Sequence, residues 1–500
     1  MEAFLNAFDN ITGTIVGIVW HDNICWVLLV IGLLFTVLTR GVQFRCIPQM
    51  FKLLFGSNSK NSDSQKGISN LQALMIAVGG RVGTGNIAGT ATAIFMGGPG
   101  AIFWMWMSAV LGAASAFIEC TLAQIYKTRS EDGTYIGGQA YYAERALGIK
   151  WFGTAMAVIL VGSNVFGNPC VQSNTISTAV ANAFQIPAWI VGLAIAGAMA
   201  LVVFGGIRRL AALAEKIVPT MCIVYLTIAI ILIGANFAKL PGAIGLIFSS
   251  AFNPRSAFGG MMGTALVWGV RRGVYSNEAG QGTGTAPAAA ADADNPCDQG
   301  LVQALSVYID TLVVCTISAL CMLCTNCYNV LGVDGSMVVE YLPGLPDGIP
   351  YVQSAIASVL PLGEIIVAFL ITTFAFTSLM SYYLEAEIHI EYLTMKLPSA
   401  LQKTILNALR LCFLFMVFIS SSWPITRVWN ITDIGGGVLT WAHLTLLVII
   451  CGPAVKALRS YDKQRKAGVE HPVFDPVALG IKNADLWTEI NKEKGRSVQP

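Results

Sequence analysis

Two glycine-interrupted stretches place charged and polar side chains inside otherwise apolar segments. They read Gly79-Gly80-Arg81-Val82-Gly83-Thr84-Gly85-Asn86 and, further on, Gly269-Val270-Arg271-Arg272-Gly273 followed by Ser276-Asn277-Glu278-Ala279-Gly280-Gln281-Gly282. In a bilayer, each unpaired backbone polar group costs several kcal/mol. A broken membrane helix therefore persists only where protein, water or a ligand satisfies its backbone. Each break is a candidate binding site.

The ends of a broken helix suit a small zwitterion, whose two charges need opposite partners close together. The half-helix that begins after Thr84 and Gly85 presents free N–H groups and the positive end of its dipole, which suit a carboxylate. The half-helix that ends before them leaves free carbonyls, which suit an ammonium group or a sodium ion. Glycine at positions 83 and 85 also allows tight helix packing as an alternative. Arg81 and Asn86 favour a binding site, because a packing seam does not need them.

The segments around these breaks have the composition of a membrane protein. Of 500 residues, 55% are hydrophobic and 12% are charged, against roughly 25% charged in an average soluble domain. Apolar runs of about 20 residues, each long enough to cross a bilayer, recur along the chain. They predict eleven spans, centred near residues 31, 83, 112, 164, 195, 224, 270, 312, 368, 413 and 446. The fold class is therefore an all-α integral membrane protein.

The distribution of loop charges predicts the orientation. With eleven spans, one side of the membrane holds nearly all the Lys and Arg residues of the loops, and the other holds only Lys239, Arg255 and Arg427. The positive-inside rule then places the N-terminus outside and the C-terminus in the cytoplasm of a multi-pass protein of the cell inner membrane. The polar tail contains several prolines and is expected to be mobile.

The two breaks are five spans apart, which predicts an internal repeat. Setting the first span aside leaves ten, which divide into five and five, and each half opens with a broken helix. This is the pattern of an inverted-repeat transporter, and an odd number of spans per repeat forces the second half upside down. We therefore predict an extra N-terminal helix and loop over 1–66, a ten-helix core over 67–457 with repeats of about 67–236 and 257–457, and a tail over 458–500.

Four motifs in this order resemble one known family. They are Val82-Gly-Thr-Gly-Asn-Ile-Ala-Gly89, Gly97-Gly-Pro-Gly-Ala-Ile-Phe-Trp-Met-Trp106, Ser276-Asn-Glu-Ala-Gly280, and Thr377-Ser378 followed by Tyr382-Tyr383. Over nearly its whole length the chain resembles the sodium:alanine symporter family, the alanine or glycine:cation symporters of the APC superfamily. The resemblance implies a LeuT-type fold of ten core helices with one extra N-terminal helix. It also implies sodium-coupled symport of alanine, glycine or a similar small neutral amino acid into the cell by alternating access.

The resemblance also implies roles for individual residues. Thr84, Gly85 and Asn86 look like the break that cradles the substrate, and Ser276, Asn277 and Gly280 look like the residues facing them. Trp268 lies in the middle of a span, where it either walls the pocket or simply packs. After Gly282 the chain reads Thr-Gly-Thr-Ala-Pro-Ala-Ala-Ala where many relatives have Ser-Ala-Pro and then His. That departure leaves a proton-coupled or glutamine-transporting member of the family as the alternative.

A sodium site is predicted between the first break and the ninth span. Sodium needs several oxygen ligands, and the break offers the carbonyls of Gly79 and Val82. The ninth span offers the carbonyl of Phe374 and the hydroxyls of Thr377 and Ser378 on one helical face. The alternative is that these hydroxyls only bond back to carbonyls one turn earlier. The position resembles the sodium site between the first and eighth core helices of LeuT-type transporters.

The other charges within spans leave alternatives open. Arg81 is expected either to pair with Glu278 or Asp310 or to face the cytoplasmic pathway. Glu119 and Asp310 each lie within an apolar run and act either as a proton relay or as a polar anchor of the helix bundle; the anchor is favoured for Glu119, and neither role is favoured for Asp310. Arg271 and Arg272 are adjacent on a helix, so we expect them to point in different directions and at most one to approach the substrate.

Other functional classes are disfavoured by the sequence. The histidines, His21, His389, His443 and His471, are not spaced as a metal pair, and neither G-x-S-x-G nor H-E-x-x-H is present. We therefore predict a transporter and not an enzyme, with sodium as coupling ion and no other cofactor. The expected partners are a small neutral amino acid, sodium and the lipid bilayer, with no nucleic acid, and a monomer is compatible with these features.

Overall fold

The computed structural model describes residues 2–55, 67–130, 133–205, 207–252 and 261–495. The predicted boundary at residue 66 and the predicted repeat start at residue 257 lie outside these residues. The N-terminal part consists of helices α1 (Glu2–Val19), α2 (Asp22–Leu38), α3 (Val42–Arg45) and α4 (Ile47–Phe55). Within it, residues 5–19 and 23–38 form a bent pair with an angle of 41° between the two helices. The sequence had predicted only the second helix of this pair.

The next part of the chain contains the first break. Its elements are α5 (Asn70–Arg81), a π-helical segment (Gly85–Gly89), α6 (Thr90–Gly97), α7 (Ala101–Ile125), α8 (Gln139–Leu147), α9 (Lys150–Gly162), a second π-helical segment (Ser163–Gly167), α10 (Asn168–Phe184), α11 (Ala188–Val203), α12 (Ile207–Ala235), a 3-10 turn (Phe237–Lys239) and α13 (Leu240–Phe252). A short antiparallel pair, β1 (Thr128–Arg129) and β2 (Tyr135–Ile136), follows α7.

The last part of the chain contains the second break. Its helices are α14 (Met262–Asn277), α15 (Thr285–Ala290), α16 (Pro296–Val307), a π-helical segment (Tyr308–Cys315), α17 (Thr316–Thr325), α18 (Ile349–Ala357), α19 (Gly363–Thr394), α20 (Ser399–Ser420), α21 (Ile425–Ile450), α22 (Gly452–Lys466) and α23 (Leu486–Glu493). Strands β3 (Asn329–Leu331) and β4 (Met337–Glu340) pair antiparallel between α17 and α18.

The described residues form an all-helical membrane protein with little sheet. Seven helices are long and apolar enough to cross a membrane, or up to eight if the bent pair near the N-terminus is one span. Each predicted span centre falls within a helix, except residue 83, which lies at the first break. The count of eleven spans remains a prediction, because several predicted spans are helices too short or too interrupted to qualify by length alone.

Local sequence signals define where the half-helices begin. Ser69 starts α5 with a capping box, in which its Oγ accepts from the Gln72 amide at 3.1 Å and the Gln72 side chain accepts from the Ser69 amide at 2.9 Å. The α16 helix starts in the same way from Asn295, with Pro296 in its first turn. These caps satisfy the free amides at both helix starts.

Small residues bring α7 and α14 close together. A Cβ added at Gly112 of α7 would lie 2.9 Å from the Cβ of Ala279, and one at Gly273 of α14 would lie 3.2 Å from Cα of Met105. Helices in membranes associate through such close backbone approach, because lipid gives them no hydrophobic driving force. The packing fixes the second break against the middle of α7.

The C-terminal tail is packed against the rest of the protein, so the expectation that it is mobile was wrong. Trp487 of α23 is fully buried, and its indole N–H donates to the Gln124 carbonyl at the end of α7, at 2.7 Å. Lys494 bonds Asp292 and Asp294, each at 3.1 Å. The tail is polar on average, but α23 is amphipathic. Its apolar face, with Phe474 beside it, covers one end of the helix bundle.

Candidate functional site

The first break is short and lies where the sequence predicted it. Helix α5 ends at Arg81, Val82 and Gly83 leave the helix, and the chain becomes helical again at Thr84. The Gly83 amide donates to Asn86 Oδ1 at 2.9 Å, and the Thr84 amide donates to Gln172 Oε1 at 3.2 Å. Two of the free amides at the start of the new half-helix are therefore satisfied by side chains.

The second break is longer, and side chains from other helices bond its backbone. Helix α14 ends at Asn277, and α15 begins only at Thr285. Gly280 and Gly282 have φ angles of 85° and 81°, a region that side chains with a Cβ rarely adopt. Their amides donate to Glu119 Oε2 at 3.1 and 3.2 Å. His443 donates from Nδ1 to the Gly280 carbonyl at 2.7 Å.

The two breaks meet at Gly85 and Ser276. A Cβ added to Gly85 would lie 3.1 Å from Cα of Ser276 and 3.1 Å from Cδ1 of Tyr275. Asn86 donates to Asp310 Oδ1 at 2.6 Å, and Ser276 donates to Asp310 Oδ2 at 2.9 Å. Asp310 is fully buried and anchors both breaks to the π-helical segment that carries it.

The other predicted substrate residues lie elsewhere. Asn277 accepts from the Ala279 amide at 3.0 Å, within the loop that follows its own helix. A Cβ on Gly280 would approach Leu444 to 2.5 Å, so this glycine faces α21. Trp268 lies against the guanidinium groups of Arg271 and Arg272, at 4.8 and 5.3 Å. The structure therefore brings together Thr84, Gly85, Asn86 and Ser276, and places Asn277, Gly280 and Trp268 outside that group.

Three residues beside Gly85 were not identified from the sequence. The Tyr275 ring packs edge-on against Trp429 at 5.3 Å, and Gln172 contacts Thr84 as described above. The hydroxyls of Thr84 and Tyr275 are buried and interact with each other, and within the described part of the chain neither bonds any other group. Trp429, which its position near a span end would assign to the membrane interface, is only 8% exposed. The polar run from Gln172 to Thr175 inside a span was the signal that could have pointed to Gln172.

The expectation that Arg271 and Arg272 point in different directions was wrong. Arg272 bonds both oxygens of Asp433, at 3.1 and 2.9 Å, and Arg271 pairs with the same carboxylate. Arg272 also lies 3.8 Å from the ring centre of Trp429. Adjacent helical positions point in different directions, but the long arginine side chains converge on one acceptor in α21.

The expected partners of Arg81 were also wrong. Its nearest carboxylate is Glu119, with Nη2 and Oε1 3.8 Å apart, rather than Glu278 or Asp310. Its Nη1 donates to the Gln303 carbonyl of α16 at 3.2 Å. Glu119 bonds the backbone of the second break, as expected of an anchor.

The predicted sodium ligands lie at the junction of α5 and α19. Ser378 Oγ lies 3.2 Å from the Gly79 carbonyl and 3.2 Å from the Phe374 carbonyl. Thr377 Oγ1 lies 2.8 Å from the Phe374 carbonyl, so back-bonding is present as well. Val82 leaves the helix beside them. Two carbonyl and two hydroxyl oxygens at one junction fit a hard cation such as sodium.

Comparisons with known proteins agree over almost the whole chain. The model of the sodium:alanine symporter family matches residues 5–476. The chain is 47% identical to the YrbD protein of Bacillus subtilis (strain 168), over 94% of this chain and 96% of that protein. It is 41% identical to the sodium/proton-dependent alanine carrier protein of Bacillus sp. (strain PS3), over 87% and 98% of the two chains. It is 37% identical to the probable sodium/glutamine symporter GlnT of Bacillus subtilis (strain 168), over 96% of each.

Proposed function

The chain belongs to the sodium:alanine symporter family, and we propose that it carries alanine, glycine or a similar small neutral amino acid into the cell together with sodium. Family members are carriers and symporters, which agrees with the prediction of a transporter rather than an enzyme. The coupling ion is sodium, and the transport cycle alternates access to one site within the membrane.

The observation that carries this proposal is the meeting of the two breaks at Gly85 and Ser276. The hydroxyls of Thr84 and Tyr275, which interact only with each other among the described residues, supply polar groups for a small zwitterion. The close approach of Tyr275 to Gly85 leaves little room for a long side chain beside the backbone of the cargo. Thr84, Gly85, Asn86 and Ser276 form the cradle in this proposal. Asn277, Gly280 and Trp268 act on it indirectly, through the second break and the arginine pair.

The coupling ion is assigned to the junction of α5 and α19. The carbonyls of Gly79, Val82 and Phe374 and the hydroxyls of Thr377 and Ser378 form the proposed ligand set. The chemistry of these oxygens supports sodium. The Ser378 contact with Gly79 joins the first broken helix to α19, so an ion bound here would bias the position of that helix.

The proposed architecture is a LeuT-type bundle of eleven membrane helices. The two breaks lie at corresponding positions of repeats over about 67–236 and 257–457, and the core extends from 67 to 457. The N-terminus lies outside and the C-terminus in the cytoplasm of an inner-membrane protein. The charge asymmetry of the loops supports this orientation. A membrane-impermeant thiol reagent should label a cysteine at position 5 from outside and one at position 480 only after permeabilisation.

Transport by purified protein in liposomes tests the proposed function. An inward sodium gradient should drive uptake of labelled alanine, and replacing sodium by potassium should abolish it. The absence of sodium-dependent uptake or counterflow for alanine, glycine and glutamine alike would refute the proposal.

A second candidate is glutamine transport or coupling to protons. The similarity to GlnT and to a sodium/proton-dependent carrier favours testing both. Counterflow with an excess of unlabelled alanine, glycine or glutamine identifies the cargo. Collapsing the proton gradient with an ionophore, while the sodium gradient is kept, identifies the ion.

A further inference from the structure

We propose that Glu119 binds a proton during transport and that its ionised form holds the second break in the shape seen here. This inference rests on the proposed function and adds a proton site, distinct from the sodium ligands, at the opposite broken helix. Among the described residues, no residue of the proposed sodium site forms a hydrogen bond or an ion pair with Glu119.

The hydrogen bonds of Glu119 are concentrated on one oxygen. Oε2 accepts from the amides of Gly280 and Gly282, at 3.1 and 3.2 Å. Hydrogen bonds to an ionised acceptor are roughly twice as strong as those to a neutral one. The ionised carboxylate therefore suits this position, and addition of a proton weakens its hold on the break.

The second carboxylate oxygen of Glu119, Oε1, is free to accept a proton. Oε1 is buried and has no hydrogen-bond partner in the part of the chain that the structure describes. Arg81 lies 3.8 Å away, too far for a hydrogen bond, and its Nε and Nη2 also lack hydrogen-bond partners among these residues. The ion pair between Arg81 and Glu119 is therefore weak. Arg81 is the last residue of α5, the half-helix that ends at the first break. A movement of that half-helix would change the charge beside Glu119.

The charges around Glu119 do not balance. Glu278 and Glu385 are buried within electrostatic reach, with Arg81 as their shared cation. The titratable groups that face Glu119 are Arg81 from α5, Tyr142 from α8, Glu278 from the break, Glu385 and His389 from α19, His443 from α21, and Cys120 on its own helix. Ionised groups inside a membrane protein need partners. Three carboxyl groups beside one guanidinium therefore favour at least one bound proton.

The histidines do not supply the missing positive charge. His443 donates from Nδ1 to the Gly280 carbonyl and receives the Tyr142 hydroxyl at Nε2. His389 donates from Nδ1 to the Glu385 carbonyl at 2.7 Å. An imidazole that accepts a hydroxyl at Nε2 is neutral, and complete burial disfavours the charged form of both rings.

Of the three carboxyl groups, Glu119 is the best placed to bind a proton that affects the second break. Both oxygens of Glu278 accept hydroxyl groups, from Tyr382 and Thr283, each at 2.7 Å. Glu385 accepts the Asn164 amide at 2.8 Å. Glu119 combines an open oxygen with direct bonds to the backbone of the break, so its protonation changes the shape of the transport site.

The buried amide of Gln139 is a second observation that supports a proton site beside Glu119. Gln139 is fully buried, and both polar atoms of its amide lack partners among the described residues. A Cβ at Gly282 would lie 2.6 Å from Gln139 Oε1 and 3.0 Å from His443 Nε2. Native proteins rarely leave buried amides unsatisfied. A polar group aimed at the break beside Glu119 suits a site through which a proton reaches the carboxylate.

Alanine-driven proton movement tests the proposal. A pH-sensitive dye inside liposomes should report acidification when alanine and sodium are added outside the wild-type protein. Glu119→Gln keeps an acceptor oxygen for both amides but cannot lose or gain the proton. Its ratio of protons to alanine moved should fall to background, and its sodium-dependent alanine counterflow should lose its dependence on pH. Glu385→Gln removes an equally buried carboxyl group and should retain the signal.

Each alternative result is decisive. If Glu119→Gln acidifies the liposomes like the wild type, or if Glu385→Gln alone loses the signal, the proposal is wrong. If Glu119→Gln does not insert, Glu119→Asp must shift the pH profile of uptake, and an unchanged profile also rejects it. If the wild type moves alanine with sodium but no protons, the proton site is wrong and the proposed function stands.

Discussion

The two breaks differ in what satisfies their backbones. The first interrupts the helix for only two residues, and its amides are bonded by nearby side chains, Asn86 and Gln172. Two hydroxyls beside it, on Thr84 and Tyr275, interact only with each other among the described residues. The second interrupts the helix for a longer stretch, and Glu119 and His443, from two other helices, bond its backbone. The first break therefore has neutral hydroxyls beside it, whereas at the second the buried atoms without partners among the described residues belong to Glu119 and Gln139, side chains that bond or border its backbone.

The largest effect is expected at the first break. Gly85→Val places a branched side chain against Ser276 and Tyr275, so uptake of alanine should fall by about 100-fold or more because the cradle is filled. The protein should still insert and remain monodisperse in detergent. Gly197→Val is the matched control, because no atom lies within 4 Å of an added Cβ there. Uptake by Gly85→Val within twofold of the wild type would remove Gly85 from the site.

A substitution at the second break should act on stability instead. Gly280→Ala must adopt a φ of 85° and crowd Leu444, at a cost of about 1 to 2 kcal/mol from the backbone alone. The thermal unfolding midpoint should fall, while the KM for alanine in the folded fraction changes little. A changed KM with an unchanged midpoint would show that the second break contacts the cargo.

A moderate effect is expected at the sodium ligands beside the first break. Thr377→Ala removes one of the proposed oxygens and should raise the sodium concentration for half-maximal uptake by about tenfold, if that ligand is worth about 1.4 kcal/mol. The proton dependence of uptake should not change. Thr373→Ala is the control, because that hydroxyl bonds only back to the Leu370 carbonyl in the described contacts, at 2.7 Å. Unaltered sodium dependence in both Thr377→Ala and Ser378→Ala would reject the assignment.

The smallest effect on transport is expected where the segment before α5 meets the end of α15. The Ile68 amide donates to the Ala290 carbonyl at 3.1 Å, and Lys127 donates to the next carbonyl, that of Ala291, at 3.1 Å. The Lys127 ammonium also lies 4.9 Å from the ring centre of Trp487 in the tail. Burial lowers the pKa of Lys127 to about 7, although Asp292 opposes the shift.

This pKa gives tail docking a pH dependence with a definite sign. Between about pH 7 and pH 10, Lys127 binds a proton when the tail is released and loses it when the tail docks, so docking strengthens as the pH rises. The slope is at most about 1.4 kcal/mol per pH unit, and below pH 7 it vanishes because both states are protonated. Lys127→Met should remove the increase in unfolding midpoint between pH 7 and pH 9. An equal increase in wild type and variant would contradict the assignment.

Much of the fold was predictable because its signals are local. Hydropathy predicted the membrane character and the positions of the helices, and the glycines predicted both breaks. The spacing of Phe374, Thr377 and Ser378 predicted that one carbonyl and two hydroxyls lie on one helical face. Helix α1 was missed, because its polar residues dilute its hydropathy.

The sequence by itself determined which segments are apolar enough to be candidate membrane spans and where two of them break, since periodicity and glycine content act within one or two turns. Only the tertiary structure decided which groups satisfy each break. Glu119 and Gly280 are separated by 161 residues, and the two arginines reach Asp433 over a similar distance in sequence. Helix packing makes these contacts, and no local pattern encodes the rotation of one helix against another. For the same reason Asn277 and Gly280, which share a motif with Ser276, face away from the cradle that Ser276 joins.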